Sequence, residues 1–210
     1  MTQSHRTPQT QCASIEVELK FYVHEPEALR AKLESLRPSA TSIESHCDTY
    51  FRHPCRDFAA TREALRIRRV TTHPNAGESV TELCTEARVT YKGPHLPGLV
   101  KARRELEWSL EPSDAGGSNL ETLLIHLGFE PVASVKKQRR SSQLIRAGRE
   151  VTIAFDEVEN VGSFVEVEVL AVGEEDVAAA REVVSGLASE LGLHSPETRS
   201  YLSLLLSRKD

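Results

Sequence analysis

The sequence predicts an α+β fold in which an antiparallel sheet of roughly eight strands carries amphipathic helices on its apolar side. Three observations lead there. Ile15–Tyr22 alternates strictly, with Glu16, Glu18 and Lys20 on one face and Ile15, Val17, Leu19 and Phe21 on the other, as the two-residue period of a strand requires. The same two-faced pattern returns at 65–70, 87–92, 100–110 and 163–170. Between and after these strands, segments with apolar residues three and four apart read as helices that need a sheet to sit on.

The chain of 210 residues, 39% hydrophobic, is large enough for one sizeable core, and nothing in its composition calls for a second domain. A net charge of −5 argues against a protein that neutralises a nucleic-acid backbone, so any anion site must be concentrated in a local cleft. The four cysteines, Cys12, Cys47, Cys55 and Cys84, have neither Cys-x-x-Cys nor zinc-site spacing, which fits reduced thiols in a cytoplasmic protein. Residues 1–13 lack an apolar signal-peptide core and read as a disordered tail preceding one domain over 14–210, and no run is apolar enough to span a membrane.

After the first strand, Glu25-Pro26-Glu27 opens a helix whose stripe is Leu29, Leu33 and Leu36 and which ends before Pro38. Cys47–Phe51 is a second strand, and Leu65–Val70 a third with Arg66 and Arg68 on one face. Residues 71–86 read as a long inserted loop, Ala87–Lys92 as a strand, and Gly93–Gly98 as a strong break. Val100–Leu110 then places Lys101, Arg103, Glu105 and Glu107 on one side, and Val100, Ala102, Leu106, Trp108 and Leu110 on a side expected in the core. Asn119–Leu127 is a short helix capped by Ser118 and stopped by Gly128. Val135–Ile145 is extended but charged on both faces. Val151–Asp156 and Ser163–Leu170 form a hairpin pair, the latter with Glu166 and Glu168 on one face. Helices over Glu174–Leu191 and Pro196–Ser207 complete the chain. The histidines have no ligand spacing and read as surface or structural.

An open sheet would turn the charged faces to water, which explains one or two such strands easily and repeated same-face Glu-x-Glu and Arg-x-Arg less well. A closed sheet would instead enclose Lys20, Arg66, Arg68, Lys92, Lys101, Arg103, Lys137 and Arg139 against Glu16, Glu18, Glu105, Glu107, Asp156, Glu166 and Glu168. Unpaired charges are costly in a low dielectric, so that interior calls for water, metal ions and a polyanion. Carboxylates suit hard Mg²⁺ or Mn²⁺ and arginine and lysine suit phosphate oxygens, so the two sets together point to a metal-assisted phosphate site.

The ordered set Glu16-x-Glu18-x-Lys20, Asp48-Thr49-Tyr50-Phe51, Leu65-Arg66-Ile67-Arg68, Thr90-Tyr91-Lys92-Gly93-Pro94, Arg103-x-Glu105-x-Glu107, Lys137-x-Arg139, Asp156 and Phe164-x-Glu166-x-Glu168 resembles the CYTH superfamily of triphosphate tunnel metalloenzymes. The superfamily includes class IV adenylate cyclases and thiamine triphosphatases, and the resemblance covers nearly all of 15–206. It implies an eight-stranded antiparallel β-barrel, a triphosphate tunnel, with the amphipathic helices packed outside.

Carried over position by position, Lys20, Arg66, Arg68, Lys92, Arg103, Lys137 and Arg139 look like triphosphate contacts, with Lys20 also the candidate catalytic residue. Glu16, Glu18, Glu166 and Glu168 look like ligands of Mg²⁺ or Mn²⁺, and Asp156 is another candidate. Glu105 and Glu107 would either bind metal or orient the neighbouring cations. Lys101 and Arg199 are further candidates, and the run Lys136–Arg140 allows a one-residue shift in which basic pair points inward. The implied partner is a triphosphate-bearing small molecule (ATP, inorganic triphosphate or thiamine triphosphate), with neither nucleic acid nor membrane. Motifs 48–51 and 90–94 look nearer the cyclase branch, so conversion of ATP to cyclic AMP and pyrophosphate is the first expectation. A triphosphatase and a non-catalytic polyphosphate-binding module are the alternatives.

Overall fold

The computed structural model describes residues 14–74, 84–98 and 100–208. The tail expected over 1–13 lies outside them, as does most of the expected insertion. Eight antiparallel strands close into a barrel in the order β1-β5-β4-β3-β2-β6-β7-β8. They are β1 (Ser14–Tyr22), β2 (Ala40–Arg52), β3 (Ala64–His73), β4 (Cys84–His95), β5 (Lys101–Ser109), β6 (Glu130–Arg146), β7 (Arg149–Val158) and β8 (Gly162–Ala171). The helices are α1 (Pro26–Ser35), α2 (Phe58–Thr61), α3 (Ser118–His126), α4 (Val177–Leu191) and α5 (Tyr201–Leu206). No helix among the described residues is long and apolar enough to cross a membrane.

Closure removes both sheet edges, and it requires β1 to pair with β5 and with β8, and β2 with β6. Most apolar faces point outward, which inverts the usual small barrel and explains why helices are needed; Val135, Val158 and Phe164 instead share the inward face with Lys137, Asp156 and Glu166. Val17, Ile153, Val165 and Val167 on the outside of β1, β7 and β8 pack with Ala180, Val184 and Leu187 of α4 as the largest core. Fully burying such side chains contributes about 1.5–3 kcal/mol each. Leu124 of α3 covers Phe51 and Ile67 on β2 and β3, while Tyr201 and Leu204 of α5 pack on Val135, Val158, Val161 and Phe164. Where α3 begins, Gly117 sits at φ +68°, and a Cβ there would stand 2.7 Å from Ile67 Cγ2.

Several boundaries differ from the sequence expectation. Residues 71–73 extend β3 and 84–86 belong to β4, both within the expected loop over 71–86, whose residues 75–83 lie outside the described residues. Gly93 and Pro94 do not end β4, because an irregularity between Lys92 and His95 carries the strand past them. The cap expected from Ser118 comes from Asp114, whose carboxylate accepts the backbone N–H groups of Asn119 and Leu120 at 3.0 and 3.1 Å. Trp108, expected in the core, is 49% exposed. It does lie on the outer face of β5, but none of the three buried clusters extends over it.

Candidate active site

Because side chains alternate along every strand, closure directs one complete set inward. Register fixes the layers. Glu16 lies opposite Arg103, Glu18 opposite both Lys101 and Glu168, and Lys20 opposite Glu166. Asp48 faces Arg68, Thr90 faces Glu107, Lys92 faces Glu105, and Arg139 faces Asp156. The ambiguity over 136–140 is resolved, with Lys137 buried and Lys136 and Arg140 exposed.

A cavity of about 1980 Å³ opens into this interior, lined by thirteen of the fourteen residues expected to bind phosphate or metal. Asp156 is the exception. It is on the inward face but 1% exposed, its carboxylate covered by the groups it accepts from, Lys137 Nζ at 2.9 Å, Arg139 Nε at 2.7 Å and the Tyr201 hydroxyl at 2.9 Å. Its geometry serves the cations in front of it.

Most tunnel cations are held by carboxylates. Arg68 makes a two-pronged contact with Asp48, Nε to Oδ1 and the terminal nitrogen to Oδ2, both 2.7 Å, and Arg66 reaches the same carboxylate at 3.3 Å. Burial alone would raise the Asp48 carboxyl, but Arg68 and Arg66 outweigh it and hold it far below the usual range. Lys92 bridges Glu16 at 2.5 Å and Glu105 at 2.6 Å. Lys101 contacts Glu18 at 3.2 Å, and Arg139 contacts Glu166. Burial and then Arg139 push the Lys137 ammonium down to about 8.

Two groups stand outside this pairing. Lys20 makes no ion pair among the described residues; its Nζ donates to the Arg199 carbonyl at 2.5 Å and lies 4.2 Å from the Tyr201 ring centre. Glu168 likewise has no ion pair or hydrogen bond among the described residues, and burial followed by the nearby Glu16 pushes its carboxyl up to about 8. Among the described residues no three acidic, histidine or cysteine side chains converge as a ready metal-binding group. The donor chemistry nevertheless fits a hard divalent cation: Glu16, Glu18 and Glu168 are oxygen donors on two paired strands, and Lys92 and Arg139, the cations that act on Glu168, make their ion pairs with other carboxylates.

Asp48 and Thr90 lie within the quoted motifs and carry no role in the sequence expectation, while His46 and His95 read as surface or structural. His46 is structural, 5% exposed with its Nε2 bonded to Glu44 at 2.7 Å, and His95 lines the cavity opposite Arg103. The one available signal was their place two or three residues from an inward charge on the same strand.

A profile of the CYTH domain matches residues 14–201. The chain belongs to the CYTH family. It is 30% identical over 154 residues to the "Putative adenylate cyclase" of Methanocaldococcus jannaschii, covering 73% of this chain and 76% of that one. It is 28% identical over 192 residues to the adenylate cyclase CyaB of Aeromonas hydrophila, covering 90% and 87%. Among solved structures, the PH1819 protein of Pyrococcus horikoshii matches with a TM-score of 0.77 and 36% identity over 92% of this chain and 99% of that one. The eight-stranded barrel implied by the sequence resemblance is therefore the fold observed.

Proposed function

We propose that this chain is a divalent-metal-dependent enzyme that acts on a triphosphate and converts ATP to cyclic AMP and pyrophosphate. The observation that carries the proposal is the pairing inside the tunnel: Lys92, Lys101 and Arg139 are parked on Glu16, Glu18 and Glu166, carboxylates of metal-type chemistry. A triphosphate draws Lys92 and Lys101 toward its oxygens and leaves Glu16 and Glu18, with Glu168, to a divalent cation. Each ligand thereby makes room for the other.

Bound Mg²⁺ or Mn²⁺ would supply charge neutralisation of the phosphate oxygens. Arg66 and Arg68, steadied by Asp48, and Lys137 and Arg139, steadied by Asp156, hold the phosphate chain in one orientation. Lys20, which has no carboxylate to leave, is the group positioned to meet charge developing on the departing pyrophosphate. The ribose 3′-oxygen forms a bond to the α-phosphorus, the bond from that phosphorus to the β-bridging oxygen breaks, and the hydroxyl proton passes to solvent. The names of two relatives support ATP as substrate. The free thiols of Cys47 and Cys55 suit a reducing cytoplasm.

Hydrolysis of inorganic or thiamine triphosphate is the second reading, favoured by one feature of the cage: its charged groups are of the kind that recognise phosphate and metal, with no ribose required. Product analysis separates them. With ATP and either metal the expected products are cyclic AMP and pyrophosphate. Orthophosphate without cyclic AMP reverses the order, and stabilisation by triphosphates without any product leaves a binding module.

A further inference from the structure

The loop between β4 and β5 supplies part of the cavity wall. His95, Leu96, Pro97 and Gly98 line it, and so does Lys101, the first residue of β5. Lys101 follows Gly98 by three residues and makes its ion pair with Glu18 at 3.2 Å, so the seat of the loop decides where this ammonium can reach. The Leu96 N–H donates to the Ala102 carbonyl at 2.7 Å and closes the hairpin at the base of the loop. Leu96 and Val100, on either side of the tip, pack against the cluster that α4 shares with β1 and β8.

The tip is held from outside the tunnel. Arg181 stands on α4 and does not line the cavity. A terminal nitrogen of its guanidinium donates to the Pro97 carbonyl at 2.7 Å. The same group lies face-on against Gly98, where a Cβ would fall within 2.6 Å of Cζ and both terminal nitrogens, and where a φ of +138° admits a side chain only with strain. Among the described residues Arg181 has no carboxylate partner and its Nε is buried without a hydrogen bond, so the loop carbonyl is its single polar contact.

We propose that Arg181 is a positioning residue for triphosphate binding: from α4 it clamps Pro97 and Gly98 and so holds Lys101 where its ammonium reaches the phosphate chain. This rests on the triphosphate reading of the site.

Calorimetric titration of inorganic triphosphate at fixed Mg²⁺, with melting curves on the same samples, tests it. Arg181→Met keeps the stem and loses the donor; it should bind triphosphate about tenfold more weakly while melting within about 3 °C of the parent, because Pro97 is exposed and water can replace the donor at its carbonyl. Arg181→Lys, whose ammonium can still donate to that carbonyl, should recover to within about threefold of the parent. Lys101→Met should itself weaken binding about tenfold, and adding Arg181→Met to it should cost no more than about a further twofold, since the clamp acts through Lys101. Gly98→Ala disturbs the same contact from the loop side and should weaken binding in the same direction. Unchanged affinity in Arg181→Met would overturn the proposal, as would losses that multiply in the double variant with Lys101→Met or a lysine variant no better than the methionine one. Absence of inorganic triphosphate binding by the parent protein would instead bring down the underlying site, and this proposal with it.

Discussion

Replacing Asp48 with Asn should cost the unliganded protein stability and return much of it when triphosphate binds. Asp48 is 2% exposed, and it is the carboxylate shared by Arg66 and Arg68, which are 9% and 8% exposed. In the variant Arg68 loses the only carboxylate it contacts among the described residues, while Arg66 keeps Tyr50 at 3.5 Å and Glu105 at 3.9 Å. Breaking a buried pair by removing one partner costs about 3–5 kcal/mol, and an Asn oxygen still accepts one bond, so about 3 kcal/mol is expected. At about 2–4 °C per kcal/mol for a chain of this size, the melting temperature should fall by about 6–12 °C. Phosphate oxygens would replace the lost charge, so calorimetric scans with inorganic triphosphate and Mg²⁺ should show the deficit shrinking by half or more. A variant melting within about 2 °C of the parent, or a deficit indifferent to triphosphate, would refute the reasoning.

Glu168→Gln should leave the melting temperature equal or higher, since it relieves crowding among carboxylates, while weakening Mg²⁺ affinity by about tenfold or more in a metal titration; unchanged metal affinity would exclude Glu168 as a ligand. Arg66→Ala and Arg68→Ala should each weaken triphosphate binding by about ten- to a hundredfold, with lysine restoring only part because it lacks the planar fork. His46, held at about 4 in the fold against an ordinary value of 6.5, contributes stability that is complete above about pH 6.5 and is lost as pH falls through 4. Melting curves at pH 7 and pH 4.5 should therefore show a smaller acid loss in His46→Gln, by on the order of 2 kcal/mol; an equal loss would place the acid sensitivity elsewhere.

Alternation revealed the inward set because charge on one strand face is conspicuous when it repeats: Glu16 with Glu18, Arg66 with Arg68, and Glu166 with Glu168 all share a face as expected. Strand ends were less legible. Thr41, Ser42 and Ser45 at the start of β2, and Thr71 and Thr72 in β3, are β-compatible but polar, so no apolar face announces them. Barrel closure was beyond the pattern itself, since it depends on pairings between strands distant in sequence, and here the family resemblance supplied it. Trp108 shows the remaining limit: alternation assigns a side chain to a face and says nothing about whether a helix covers that face. Asp48 and Asp156 show it for the site, because a carboxylate that steadies cations and one that binds metal look alike until their neighbours are known.

The most direct measurement is a pair of calorimetric titrations, inorganic triphosphate into the protein with and without Mg²⁺, and Mg²⁺ into the protein with and without a non-hydrolysable triphosphate. If Lys92 and Lys101 leave Glu16 and Glu18 for phosphate as metal takes their place, each ligand should tighten the other by the same factor, of about tenfold or more. Independent binding of the two, or triphosphate binding that is as tight in EDTA as in Mg²⁺, would contradict the account.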